Sequence, residues 1–206
     1  DGEAVKARRG ISYRVPAGAG GAFLAELVGS EEVNVAIFPG PAGSGWAEDL
    51  EQGFTEAVKG SPNIKIVDVK WGDTGKDVQL SLMQNTLQAN PDIDYIIGNP
   101  VASEAAPGLL ANLGLSDKVK IISLIATPQV MDFVKTGEIL MVPPDQAATL
   151  ARLAVDAAVD TLEKREVVPQ MGTKIISVTT DTIGTFDAST TLAPVDYQPV
   201  FQVNWN

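Results

Sequence analysis

Apolar residues in this chain gather into short runs that alternate with longer stretches at helical spacing. Val33–Phe38, Ile64–Val69, Tyr95–Ile97, Lys120–Leu124, Glu138–Met141 and Lys174–Val178 are short and mostly apolar or β-branched. That is the pattern of strands buried on both faces. Between them the period changes. Leu50, Phe54, Ala57 and Val58 recur at i, i+4, i+7 and i+8 within Trp46–Lys59, and Gly60 stops that helix. Further helices are predicted over Ala17–Val28, Val78–Leu87 (Val78, Leu82 and Leu87 inward), Ala102–Leu113, Pro128–Lys135 and the long amphipathic Gln146–Glu163. Ile11–Tyr13 reads as the end of a further short strand.

Strands alternating with helices predict an α/β fold: a three-layer parallel sheet with helices on both faces. In such sheets ligands bind outside the carboxyl ends of the strands. The segments that follow the strands are Tyr13-Arg14, Pro39–Trp46, Trp71–Gly75, Gly98–Pro100, Ile125–Thr127 and Val142–Pro144. Residues 181–206 are Thr-rich and turn-rich and read as an extended tail.

Composition narrows the chemistry. Fifteen Lys and Arg against 26 Asp and Glu leave a net charge of −11, which argues against nucleic-acid binding, since phosphate contacts need a basic face. The chain has no Cys and no His, so Ser–His and Cys nucleophiles and an ordinary zinc site are excluded. No catalytic residue, metal or cofactor is expected. No apolar stretch approaches the roughly 18–20 residues that span a bilayer, and the opening DGEAVKARRG carries no apolar signal segment.

The loop in AIFPGPAGSGW, residues 36–46, has the strand–glycine loop–helix order of a phosphate cradle, but Gly45 is followed by Trp46 rather than Lys. Glu48 and Asp49 at the start of the next helix would repel a phosphate there. GAGGAF at 18–23 places Phe23 where a dinucleotide fingerprint needs its third glycine. DTG at 73–75 has no second copy to make a shared-proton pair of carboxylates. Tyr13, Trp46 and Trp71 all fall at strand ends, where aromatic faces suit a quaternary ammonium cation.

The order and spacing of VNVAIFPGPAGSGWAEDLEQGFTEAVKG, MQNTLQANPDIDYIIGNPVASEAAPGLLANLG, KVKIISLIATPQVMDFVKTGEI and VPPDQAATLARLAVDAAVDTLEKREV resemble the second lobe of type I periplasmic binding proteins, the ribose-binding-like class, over residues 10–180. PGPAGSG, EQGF, IVDVKWGDTGKDVQ and the tail YQPVFQVN are most similar to the branch that senses trimethylamine N-oxide. The resemblance implies a periplasmic, non-enzymatic sensor of a small methylated solute, signalling to the periplasmic domain of a membrane sensor histidine kinase. A solute receptor for a transporter and a carboxylate-based enzyme are the alternatives.

The resemblance also implies a site. Sugar-binding relatives place an Asp where this chain has Ile125 and a Gln where it has Val142, and those apolar side chains do not satisfy sugar hydroxyls. Residues 39–46, with Ser44 and Trp46, then form one cleft wall. Tyr13 and Trp46 contact the methyl groups, Ile125 adds apolar surface, and Asp73, Thr74 and Asn99 orient the ligand or the hinge. Residues 1–12 are expected to be a remnant of the first lobe, 13–142 the second lobe, 143–172 a helix of the first lobe, and 173–206 a hinge strand and tail. Lacking most of the first lobe, the chain is expected to expose helix 146–163 unless something covers it, with a dimer through that helix or a rearranged fold as the alternatives.

Overall fold

Alternate side chains of a strand point to opposite faces, so a strand in the middle of a three-layer fold must be apolar on both. The computed structural model, which describes residues 7–194 and 196–198, shows this strand by strand. In β2 (Val33–Phe38), Val35 and Ile37 enter one apolar core while Ala36 and Phe38 enter the other. Ile96 and Ile97 of β4 (Tyr95–Gly98), and Ile121 and Ile122 of β5 (Lys120–Ser123), divide in the same way.

On one face lie α1 (Arg14–Val28) and α2 (Gly45–Val58), contributing Ala17, Leu24, Leu50 and Phe54. On the other lie α3 (Lys76–Ala89), α4 (Pro100–Leu113) and α5 (Pro128–Thr136). With β3 (Ile64–Val69), β6 (Met141–Val142) and β8 (Val178–Thr179) the sheet has the order β3-β2-β4-β5-β6-β8. The first five strands are parallel.

The last strand departs from expectation. Instead of a parallel strand over 174–178, β8 pairs antiparallel with β6, Met141 opposite Thr179 and Val142 opposite Val178. No helix crosses over directly before it, so nothing forces the parallel direction. The penultimate strand is also later than expected, at Met141–Val142 rather than 138–141.

A second, two-stranded sheet joins β1 (Arg8–Arg9) to β7 (Gln170–Met171) in parallel. α6 (Ala147–Leu162) lies beside it and buries only Ala157, leaving Val155 64% and Leu162 82% exposed. Residues 1–6, 195 and 199–206, which hold part of the expected remnant and tail, are outside the described residues. Among those described, no helix is long and apolar enough to cross a membrane.

Two details correct the expected helix faces. α1 begins at Arg14, so Ile11–Tyr13 is the entry to a helix rather than a strand end. In α3 the buried positions are Gln79, Met83, Thr86 and Leu87, whereas Val78 is 42% exposed and, with Leu82, covers Gly72. The inward face carries two polar residues, and the hydrogen bonds of Gln79 explain its place there.

Candidate ligand-binding site

The strand order reverses at β2: β3 lies on one side of it and β4 on the other. Loops leaving the carboxyl ends of β2 and β4 therefore diverge, at the point where open α/β sheets bind ligands. The β2 loop, Pro39–Ser44, walls one side of that strand end. Gly40 has φ 126°, and a Cβ there would lie 2.6 Å from the Trp46 ring. The ring thus lies over Gly40, half-buried against the α1–α2 core. The Ser44 hydroxyl donates to the Pro41 carbonyl at 3.0 Å and closes the loop. The Gly72 amide donates to Gly40 at 3.0 Å, tying the β3 loop to the same wall.

Asn99, at the end of β4, is fully buried and fully engaged. Its amide donates to the Phe38 carbonyl at 3.0 Å and to Gln79 Oε1 at 3.2 Å. Its carbonyl accepts from the amides of Val101 and Ala102, capping α4, with Pro100 next in the chain. Gln79 in turn donates to the carbonyls of Gly72 and Asp73. The expected ligand-orienting Asn99 is therefore a strut that locks the β2, β3 and β4 loops together. It has no polar atom left for a solute. Gln79 escaped notice in the sequence because its inward position was masked by Val78 and Leu82 on either side.

Tyr13 and Ile125 are half-buried against the same core face as Trp46. Burial pushes the Tyr13 phenol above its usual range, and the Asp145 carboxylate adds to the shift. Val142, placed by its resemblance at a sugar-binding position, is fully buried in the other core, paired with Val178. Pro143 and Pro144 are buried too, so Asp145 is the first side chain after β6 that is not. It was missed in the sequence although the PDQ run marked the segment. Asp73 is exposed, its carboxylate accepting the Thr74 amide at 2.6 Å, and Thr74 is half-buried. The structure thus gathers Tyr13, Trp46 and Ile125 on one core face, with Ser44 in the adjoining loop, and sets Asp73 and Thr74 on the β3 side.

Three chain segments run together beside this site. A Cβ on Gly172 would meet the Gly10 carbonyl at 2.9 Å. Thr173 donates to the Asp145 carbonyl at 2.8 Å, and Gln146, at φ 55°, donates to the Lys174 carbonyl. The first segment is also moored to α2. Ser12 donates to Asp49 at 2.7 Å, and Arg14 meets Asp49 at 3.0 Å and also Gln52 and Glu56.

The Ser12 hydrogen bond chiefly holds the Asp49 carboxyl below its ordinary 3.8; burial opposes it, and the hydrogen bond and charge of Arg14 add to the lowering. A depressed carboxylate contributes stability above its unfolded value, and that contribution is lost as the pH falls below 3.8 through the folded value. Asp49→Asn is expected to reduce the loss of stability between about pH 5 and about pH 2.5. Urea midpoints at the two ends check it; parallel losses in both proteins would contradict the mooring.

Four likenesses bear on this geometry. A family described as "periplasmic binding protein domain" matches residues 14–166. Periplasmic protein TorT of Escherichia coli (strain K12) is 29% identical over 201 residues, covering 98% of this chain and 58% of that protein. An ABC transporter solute binding protein from Bradyrhizobium sp. BTAi1, solved with bound bis-tris, is 41% identical with a TM-score of 0.87, over 93% of this chain and 58% of that one. The TorS sensor domain–TorT complex, solved in the presence of TMAO, gives 29% identity and a TM-score of 0.86 over 96% of this chain and 66% of that one. The chain spans 58% of the length of the curated TorT it matches.

Proposed function

The chain belongs to the periplasmic binding protein family, and from that premise we propose that it forms one wall of a cleft for a small methylated solute, trimethylamine N-oxide or a close analogue. The observation that carries the reading is Tyr13, Trp46 and Ile125 half-buried against one core face, beside a strand-end Asn99 whose polar atoms are all engaged. Sugar hydroxyls need free donors and acceptors there. A trimethylated nitrogen needs aromatic faces, each worth about 0.5–2 kcal/mol. Thr74 is the hydroxyl that would donate to its oxygen, since the Ser44 hydroxyl is given to the Pro41 carbonyl; the Asp73 carboxylate, an acceptor, would face the methylated nitrogen, and Asp145 places negative charge near Tyr13.

On this reading residues 13–142 are the second lobe, residues 143–172 supply a helix to the first, and residues 173–206 return across the hinge. The exposed side of α6 then packs within that first lobe; a dimer through it is expected only where the first lobe is lacking. Ligand would shift an open–closed equilibrium about the three adjacent segments, with no chemistry done on it. The closed form would be read by a sensor kinase, as suggested by the likeness to TorT in its complex with the TorS sensor domain. The 41% identity to a transporter's solute binding protein favours a second reading, a receptor delivering a solute to a transporter.

Thermal-shift titration of the intact protein separates these. Ligand that binds the native state raises the melting temperature by mass action, by about 2.7 kcal/mol of stability at a hundredfold excess over Kd. Trimethylamine N-oxide is expected to raise it, ribose not, with betaine and choline as graded probes. Tyr13→Ala and Trp46→Ala should each weaken binding about tenfold. A shift with ribose and none with the N-oxide would discard the methylated-solute reading.

A further inference from the structure

The segment that leaves β6 brings a charge to the candidate site. Met141 to Pro144 are buried, and the first side chain to emerge beyond the strand's carboxyl end is the half-buried Asp145. Its place is fixed through the backbone. Thr173 donates to the Asp145 carbonyl at 2.8 Å. The residue before it, Gly172, lies so close to Ile11 that a Cβ there would meet the Ile11 side chain at 2.9 Å. Tyr13 follows two residues after Ile11 in the chain. Asp145 is thus tied, through Thr173 and Gly172, to the stretch that carries the aromatic ring. The Tyr13 phenol registers the carboxylate: burial chiefly raises it above its usual range, and Asp145 adds to the rise.

The carboxylate has no counter-charge. Its Oδ1 accepts the Ala147 amide at 3.2 Å, at the start of α6. Among the described residues no Lys or Arg forms an ion pair with it. Arg14, adjacent to Tyr13, is committed to Asp49 and Glu56. Lys174, whose carbonyl accepts from Gln146, points its charge into water, being exposed. Asp73, on the β3 side, is also exposed, where solvent and salt screen it; Asp145 is screened less. A negative charge beside an aromatic face adds to the attraction that the ring holds for a cation. It gives no such gain to a neutral solute, and it repels the anionic end of a zwitterion.

We propose that Asp145 sets the charge class of the ligand: the site prefers choline-like trimethylammonium cations over neutral solutes of the same shape and over zwitterions such as betaine. The inference rests on the methylated-solute reading and narrows it.

Calorimetric titration of the intact protein with choline and with neohexyl alcohol, in which carbon replaces the quaternary nitrogen, reads the charge at constant shape. The rings alone favour choline, so the decisive quantity is the change in the ratio of the two affinities on Asp145→Asn. Asparagine still accepts the Ala147 amide, so the start of α6 is kept. The variant should weaken choline by about three- to tenfold, leave the alcohol unchanged and improve betaine. Asp117→Asn removes the same charge from an exposed position before β5, at the opposite end of the sheet, and should change none of them. An unchanged choline-to-alcohol ratio in Asp145→Asn would overturn the proposal, and so would an equal loss of choline in Asp117→Asn, which would assign the effect to the chain's net charge. In either case binding of trimethylamine N-oxide would leave the methylated-solute reading standing. Failure of the N-oxide, choline and betaine alike to bind would overturn both.

Discussion

Asn99→Ala is expected to lower the unfolding free energy by about 2–4 kcal/mol, the sum of a lost helix cap and of the buried Gln79 side-chain oxygen left without a donor. Asn99 caps α4 through the amides of Val101 and Ala102, and its own amide satisfies Phe38 and Gln79. All of this lies where water does not reach, since Asn99 and Gln79 are both fully buried. Urea unfolding checks it, with the midpoint falling and the slope unchanged.

Asn99→Asp is the sharper test. It keeps the cap but turns a carboxylate oxygen toward the Phe38 carbonyl and Gln79 Oε1. Gln79 does not relieve the clash by flipping, because its amide already serves Gly72 and Asp73. The new carboxyl should titrate above its unfolded value, so this variant's deficit should shrink as the pH falls through the raised value. A deficit that stays constant with pH would show that Asn99 is not donating to those oxygens.

Gly53→Ala is expected to cost about 1–3 kcal/mol by overpacking. The added Cβ would lie 2.4 Å from the Arg14 carbonyl oxygen and 2.6 Å from the Arg14 Cα, both backbone atoms that do not rotate away. α1 would have to shift at its first turn, carrying Tyr13 with it, so binding should weaken together with stability. The contrast is Gly18→Ala on the facing helix. Its Cβ would meet Gly53 at an ordinary 3.7 Å, and replacing glycine in a helix should there gain about 0.5–1 kcal/mol. Thermal midpoints moving in opposite directions for the two substitutions are the expected result. Equal losses would mean that helix propensity and not interhelical clearance governs this pair. The same clearance accounts for Gly21 in the glycine-rich run at 18–21, where a Cβ would lie 2.7 Å from the Ala57 side chain, while a Cβ on Gly20 would meet Leu124 of the sheet side at 2.7 Å. The run serves helix packing, not phosphate.

What was legible in the sequence follows from how local its cause is. Val33–Phe38 and Ile64–Val69 have the bounds their apolar runs predict, because two-sided burial leaves a continuous signature. β8 was misread in direction because strand pairing is settled by a partner 36 residues away in the numbering, Val142 opposite Val178, and not by the strand's own residues. α3 was rotated because apolar periodicity does not register a buried glutamine that is satisfied by the ends of neighbouring strands. Asn99 carried a local sign of its scaffold role, an Asn directly before Pro at a helix start, yet its place at a strand end equally suited a ligand contact. Asp145 lies next to a segment that was legible, but its nearness to Tyr13 depends on chain ends that meet only in the folded state.

That meeting sets an order of events. β1 pairs with β7, and the Arg9 guanidinium reaches the Val168 carbonyl across a separation of 159 residues. Closing so long a loop in an unfolded chain costs about 4.5 kcal/mol beyond a constant. A ladder of two residues, at about 1 kcal/mol per hydrogen bond, does not offset it. The pair therefore forms only after the main sheet has brought the start of α1 and the end of β6 to the same side. Its substitutions should accelerate unfolding while leaving the rate of folding nearly untouched. On a ribosome, Arg8 and Arg9 would wait without their partner strand until Gln170 and Met171 had emerged.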